Sequence, residues 1–255
     1  NGMKEGLIAS MNEAGVDCSI LLPVVTKPSQ FESINQFALQ FREGPLYSLG
    51  GIHPASEDYK EELKKLKNMG FIGVKFHPDY QEMYFNDLQM KRVIDYASEL
   101  GLIIVTHAGN DPFSPEDVHC TPKMVREVIR EVRPEKMVLA HMGGNDLLDD
   151  IEEYIIGENV YLDTGYVLDH IPEDRIIHMF RNHSVDKILF GTDSPWAGQK
   201  AYVEYMKSMD ITENAKALGA DCIVTACPLC KYNLAKSGKL PIVYFTELLA
   251  EALGI

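Results

Sequence analysis

The sequence predicts an α/β fold, a (β/α)8 TIM-barrel-like arrangement of repeated strand–helix units. Three observations carry this. Short β-rich apolar runs alternate with helical patterns along the 255 residues. Their starts recur at roughly 20 to 35 residues, the spacing of βαβ units. The runs are apolar on both faces, which implies a parallel sheet. The length also suits a barrel, which takes ~250 residues as one domain. The glycine-rich turn of a dinucleotide fold follows none of the runs, which favours a closed barrel over an open doubly wound sheet.

The expected strands, in order, are Val16–Val25, Leu46–Ile52, Phe71–His77, Leu102–His107, Met137–His141, Val160–Thr164, Lys187–Asp193, Cys222–Ala226 and Ile242–Thr246. Helices fill the gaps with ordinary start and stop signals. Ser56 is placed to cap a helix that runs to Asn68–Met69, with Gly70 at its end. Asn86 is placed to cap the next, whose Met90, Val93, Ile94, Ala97 and Leu100 form an apolar stripe before Gly101. Thr121-Pro122 reads as an N-cap followed by a proline at the first helical position for Lys123–Val132. Pro172 opens a short helix with Ile176, Ile177 and Phe180 on one face, and Ala201–Leu218 is a further helical stretch.

Composition narrows the function. Lys and Arg number 24 against 38 Asp and Glu, a formal charge of −14. Such a chain is a poor partner for nucleic acid or an anionic membrane. No apolar run approaches the ~20 residues of a membrane span. Five cysteines are too few and too odd in number for a disulfide scaffold. Cys222, Cys227 and Cys230 crowd together as a metal or cluster site in a reducing cytosol would. Asn1 to Ser10 shows neither the basic nor the apolar region of a secretory leader, so a cytoplasmic location is expected. Self-association is left open.

Ionisable residues gather where the runs end. Lys75 and His77 end "GVKFHPDYQ", His107 ends "LIIVTH", His141 ends "VLAH", Asp163 sits in "VYLDTG", and Asp193 ends "ILFGTD". Strand C-terminal ends form the active face of a parallel barrel. Successive units delivering His or Asp to one rim suggest a metal held by neutral imidazoles and a carboxylate. Plainer readings stand beside this one. His77 before Pro78 can simply close a strand, and His107 and His141 can be satisfied rim histidines. Asp193 can cap a turn, and Asp163 can brace a loop. Lys75 inside an apolar strand is costly to bury without a partner, so a site role is the better reading. His119, His170, His178 and His183 lie in loops or polar helices and are expected at the surface.

These motifs, with "EAGVDCSILLPV", "HCTPKMV", "LAHMGG" and "LFGTDSPW", make residues 1 to about 211 resemble the amidohydrolase superfamily, and within it the amidohydrolase 2 branch of TIM-barrel metal-dependent hydrolases and decarboxylases. The resemblance implies that His107 is the fifth-strand metal ligand, His141 the sixth-strand histidine and Asp193 the eighth-strand aspartate, with Lys75 and His77 reaching the substrate pocket. It implies a divalent metal, zinc or alternatively manganese, at His107, His141 and Asp193. Asp193 would then act as general base, His141 would stabilise developing negative charge, and Lys75 with His77 would hold a small acidic substrate. Hydrolysis of an amide, ester or lactone and non-oxidative decarboxylation share this apparatus. The family's first-strand His-x-His pair does not occur, and the opening residues resemble the helix before strand two, so the first strand is expected to be missing.

Residues 212–255 resemble instead the end of the cysteine-rich (CCG) domain of heterodisulfide reductase, in which Cys227 and Cys230 would be iron–sulfur ligands. The upstream Cys-Cys-Gly segment is absent, so no complete cluster is expected. Two further functional readings therefore remain: a catalytically defective barrel, and a cysteine-based electron-transfer module. The tail has two expected placements. Cys222–Ala226 could enter the vacant first-strand position, or the tail could form its own small βα unit with "PIVYFT" as second strand. The separate unit is favoured, since tail side chains need not suit the volume of a barrel interior.

Overall fold

The computed structural model describes residues 3–114, 117–208, 222–225 and 241–244. It divides into two compact units, Ile20–Asp163 and Asn1–Ser19 with Thr164–Ile255. Strands and helices alternate as the sequence predicts. In order they are α1 (Lys4–Ala14), β1 (Ser19–Leu21), α2 (Phe31–Ala38), β2 (Leu46–Ser48), β3 (Gly50–Gly51), α3 (Tyr59–Asn68), β4 (Gly73–Phe76), α4 (Leu88–Glu99), β5 (Ile103–Thr106), α5 (Pro122–Val132), β6 (Met137–Leu139), α6 (Leu148–Tyr154), β7 (Tyr161–Asp163), α7 (Glu173–Asn182), β8 (Ile188–Leu189), α8 (Gln199–Ser208), β9 (Ile223–Thr225) and β10 (Ile242–Tyr244).

In the Ile20–Asp163 unit, β3, β4, β5, β6 and β7 pair in that order, every pair parallel. Gly51 pairs with Lys75, Lys75 with Val105, Val105 with Val138 and Val138 with Tyr161. That register aligns the C-terminal ends of four strands in one row. Every residue of β4 is buried, as expected of a strand covered on both faces. The helices bury the stripes their spacing dictates, Leu63 and Leu66 on α3 and Met90, Val93, Ile94 and Ala97 on α4. Thr121 caps α5 as expected, accepting the Met124 amide at 3.3 Å, with Pro122 next.

Two other caps lie elsewhere than the sequence suggests. α3 starts at Tyr59 after Asp58, and Ser56 lies in the preceding turn, its amide donating to the His53 carbonyl at 3.0 Å. α4 follows Asp87, while the Asn86 side chain donates to Glu127 at 2.7 Å.

In the other unit, the Thr164 amide donates to the Leu189 carbonyl at 3.1 Å, and Thr164 Oγ1 accepts the Gly191 amide at 3.0 Å. Ile176 and Met179 are the buried residues of α7, whereas Ile177 and Phe180 are only half-buried. Gln199 and Lys200 at the start of α8 reach Ser19 and Glu13, at 3.3 and 3.2 Å. β9 does not enter the place of a first strand. It pairs in parallel with β10, Ile223 opposite Ile242 and Thr225 opposite Tyr244, in a sheet of its own. Cys222 is a half-buried free thiol, and Cys227 and Cys230 lie outside the described residues. Among the described residues no helix is long and apolar enough to cross a membrane.

Candidate metal centre

The register of the sheet builds the site. The His107 amide donates to the Phe76 carbonyl at 3.1 Å and the Ala140 amide to the Thr106 carbonyl at 2.9 Å, so the ladder runs one step beyond β4, β5 and β6. His77 and His107 therefore leave adjacent strands level with Ala140, and His141 follows one residue further on. All three are buried, and so are Lys75 on β4 and Asp79 and Asp111 in the loops that follow β4 and β5.

The rings meet in two ways. His77 lies flat between Tyr80 and His107, with centroids 3.7 and 4.2 Å away and planes 6° and 10° apart. His141 meets His107 edge-on, at 67° and 4.8 Å. His107 Nδ1 and His141 Nε2 are 3.0 Å apart, while His107 Nε2 faces the Gly109 carbonyl at 3.3 Å. A carbonyl only accepts, so Nε2 carries the proton of a neutral His107 and the Nδ1 lone pair points at His141.

Burial drives the electrostatics. It pushes His77 down to about 3, with smaller contributions from the neighbouring Lys75 and His141. It holds His107 well below the ordinary histidine range, with His141, His77 and Lys75 adding to the effect. Both rings are neutral at physiological pH, which is the ligand form of histidine. Burial also pushes the Asp79 carboxyl up, against the two His119 hydrogen bonds that favour its ionised form.

The donor set fits a divalent ion. His77, His107 and Asp111 can bring ligand atoms within 4.8 Å of one another. The pairing matters more than the grouping. An ion sits in the plane of each imidazole that binds it, and the planes of flat-stacked His77 and His107 run nearly parallel and do not meet at the site. The planes of His107 and His141 cross, so an ion can lie in both. At ~2.1 Å per bond, two nitrogens at right angles around an ion stand ~3.0 Å apart, as these two do. Among the described residues, His77 Nδ1 and Asp79 Oδ2, both buried, have no hydrogen-bond partner, so polar capacity remains at the site.

Backbone details fix the rim. His141 adopts φ 58 and Met142 φ 54, an uncommon conformation for residues with side chains. Asp163 Oδ1 accepts the His141 amide at 3.2 Å, so Asp163 does brace this turn. Gly109 has φ 90, and a Cβ there would meet the Asn145 amide nitrogen at 2.0 Å.

Of the residues expected from sequence, Lys75, His77, His107 and His141 come together here. Asp193 stands in the other unit, exposed, at φ 55, its carbonyl accepting the Trp196 amide at 2.9 Å. Two histidines expected at the surface are not there. His183 is buried, and His119 is largely buried, its Nδ1 3.2 Å from Asp79 Oδ1 and its amide 3.1 Å from the same oxygen. His170 and His178 are exposed as expected. Asp79, Tyr80 and Asp111 escaped the sequence reading. Asp111 has a signal, an acidic residue four positions beyond the fifth-strand histidine, and its Oδ2 lies 3.5 Å from His77 Nε2.

Residues 19–221 match the family model Amidohydro_2, described as amidohydrolase. No curated protein matches the chain in sequence. Among solved structures, the chain is similar to 5-carboxyvanillate decarboxylase from Sphingomonas paucimobilis, at 15% identity over 86% of this chain and 81% of that one, with a TM-score of 0.66. It is similar to a dihydroxybenzoic acid decarboxylase from Polaromonas sp. JS666 with bound manganese, at 16% identity over 86% and 83%, TM-score 0.61. A probable 2-pyrone-4,6-dicarboxylic acid hydrolase from Acinetobacter baumannii is 14% identical over 84% of each chain, TM-score 0.53. At such identities the likeness is one of fold.

Proposed function

The chain belongs to the amidohydrolase family whose model spans residues 19–221, and from that premise we propose that it is a divalent-metal enzyme acting on a small carboxylated substrate, with non-oxidative decarboxylation as its reaction. The observation that carries the reading is the His107–His141 pair, two buried ring nitrogens 3.0 Å apart at the ends of neighbouring strands. These two would hold the metal, zinc or manganese, which when bound polarises substrate oxygens and acidifies water. Decarboxylation comes first because the Sphingomonas and Polaromonas enzymes are decarboxylases of aromatic acids.

The chain's own residues supply the rest. Lys75, buried on β4, puts positive charge next to His77 and His107 and so favours a carboxylate in the site. His77, neutral and stacked, offers ring nitrogens to hydrogen-bond that substrate. The surrounding burial excludes bulk water and strengthens each of these interactions. Asp193 carries the family's proton-transfer role in this reading, accepting a proton as base and returning it.

Hydrolysis of a lactone is the second reading, favoured by the likeness to the probable pyrone dicarboxylic acid hydrolase. One experiment tests both the centre and the chemistry. The metal-stripped chain is titrated with Mn2+ and Zn2+, then the loaded protein is offered hydroxylated benzoic acids and pyrone dicarboxylates. Binding of one ion per chain, lost in His107→Ala and His141→Ala, is expected, with CO2 release from an aromatic acid. Native affinity in both variants would remove the centre from His107 and His141, and ring opening without CO2 would give the hydrolase.

A further inference from the structure

Gln81 lies in the loop that leaves β4, and its side chain is buried. Its Oε1 accepts the His77 amide at 3.1 Å. Its own amide donates back to the His77 carbonyl at 3.0 Å, so both backbone groups of His77 are held by one residue. Its Nε2 donates to the Val25 carbonyl at 2.9 Å and to the Ile52 carbonyl at 2.8 Å.

Those partners come from three segments. Val25 follows β1, Ile52 follows β3 and His77 follows β4. The last residue pair of β3 and β4 is Gly51 with Lys75, so the ladder between these two strands ends before Ile52 and Phe76, one residue short of His77. A primary carboxamide offers an acceptor and two donors in one plane, as a neighbouring peptide strand would. Gln81 uses all of them. Asn35 does the same one step earlier, accepting the Gly51 amide and donating to the Gly51 carbonyl, both at 2.8 Å.

We infer that Gln81 is the positioning residue of His77, continuing the hydrogen bonding of the sheet past its last strand pair and thereby fixing where the imidazole stands. The ring's flat contacts with Tyr80 and His107 then follow from where Gln81 holds its backbone. Met at this position would fill the volume but strand one buried amide and two carbonyls. Glu would keep the acceptor and turn a negative charge toward both carbonyls. The inference rests on the function proposed above only for what His77 does; its placement is testable without metal or substrate.

The experiment is NMR of the histidine rings in the metal-free full chain. In Gln81→Met the His77 ring protons, released from between two ring faces, are expected to shift downfield toward the positions of a free imidazole, while the exposed His170 and His178 stay put. Val93→Ala, a core cavity in α4, serves as the control of comparable destabilisation and is expected to leave the His77 signals in place. Unmoved His77 signals in Gln81→Met, or equal movement in Val93→Ala, would overturn the inference. Native protein gives a reading that needs no variant to fold. The Gln81 side-chain amide protons are expected to exchange at least about 10-fold more slowly than those of an exposed glutamine, and exchange at the exposed rate would overturn it equally. Failure of the native chain to bind Mn2+ sinks the metal reading and leaves these ring signals to decide Gln81 on their own.

Discussion

Asp163 Oδ1 accepts the amide of His141 at 3.2 Å, tying the end of β7 to the first residue of the turn after β6. The turn needs that tie. His141 sits at φ 58, a conformation that costs an ordinary residue roughly 1–2 kcal/mol. Its side chain is one half of the ring pair that the metal reading depends on.

Removing the tie should loosen the pair. Asp163→Ala is expected to lower stability by about 1–3 kcal/mol, the cost of a stranded buried donor, and to weaken Mn2+ binding by ~10-fold or more, as loss of a supporting partner does. Asp163→Asn keeps an acceptor and should fall in between. Urea melts and metal titration measure the two effects separately. Native Mn2+ affinity in Asp163→Ala would show that His141 holds its place unaided.

The buried histidines set a pH dependence in the metal-free chain. Burial brings His77 down to about 3 in the folded protein, from an ordinary value of 6.5. Between these limits the unfolded chain binds more protons, so stability rises with pH there, by about 1.4 kcal/mol per unit for each proton. It is lost as pH falls from 6.5 toward about 3 and declines no further on this account below that. His107 adds to the loss in the same direction. Carboxylates also titrate in acid, so the informative quantity is the difference between native and His77→Gln. The variant's stability curve should be flatter from pH 6 to 4, and parallel curves would refute the neutral buried ring.

Gly109 is a backbone requirement. Its φ is 90, and the Asn145 amide nitrogen lies where a Cβ would be. Gly109→Ala combines a left-handed penalty with backbone overpacking and is expected to cost about 2–4 kcal/mol. The shift would also carry the Gly109 carbonyl away from His107 Nε2. A lower urea midpoint with weakened metal binding is the expected pair of results.

Asp193→Asn tests the proton-transfer role. The swap is nearly isosteric, so the melting temperature should change little. Turnover in the metal-loaded protein should fall by about 10²–10⁴-fold, the worth of a positioned base. A native rate would take Asp193 out of the chemistry.

Much of the fold, and the meeting of Lys75, His77, His107 and His141, is legible in the sequence, for identifiable reasons. Every expected strand is present, because short apolar runs such as that around β4 are marked off by the helical patterns on either side, and all four residues of β4 are buried. The three histidines were found because a strand's end is marked by where the apolar run stops. Helix starts were less visible. Ser56 and Asn86 are good capping residues, yet Ser56 lies in a turn before the helix begins and a bond to Glu127 claims the Asn86 side chain. Asp79, His119 and Gln81 act through loops, whose course no periodicity encodes. Their partners lie up to 56 positions away, in the case of Gln81 and Val25. His183 was misplaced because a histidine ending a polar helix carries no mark of burial.

The pairing of Lys75 with Val105 and Gly51 acts as a reading frame. Side chains alternate across a strand, so Lys75 and His77 share one face of β4 and its continuation, and Val74 and Phe76 the other. Deleting one residue between Gly73 and His77 would exchange the two sets, presenting a valine and a phenylalanine where the lysine and histidine now stand. Residues 82–87, beyond Gln81, are held by other means: Phe85 is fully buried and its amide donates to the His119 carbonyl at 2.8 Å. Substitution can therefore vary the residues of β4 one at a time, while the number of them between Gly73 and His77 is held fixed.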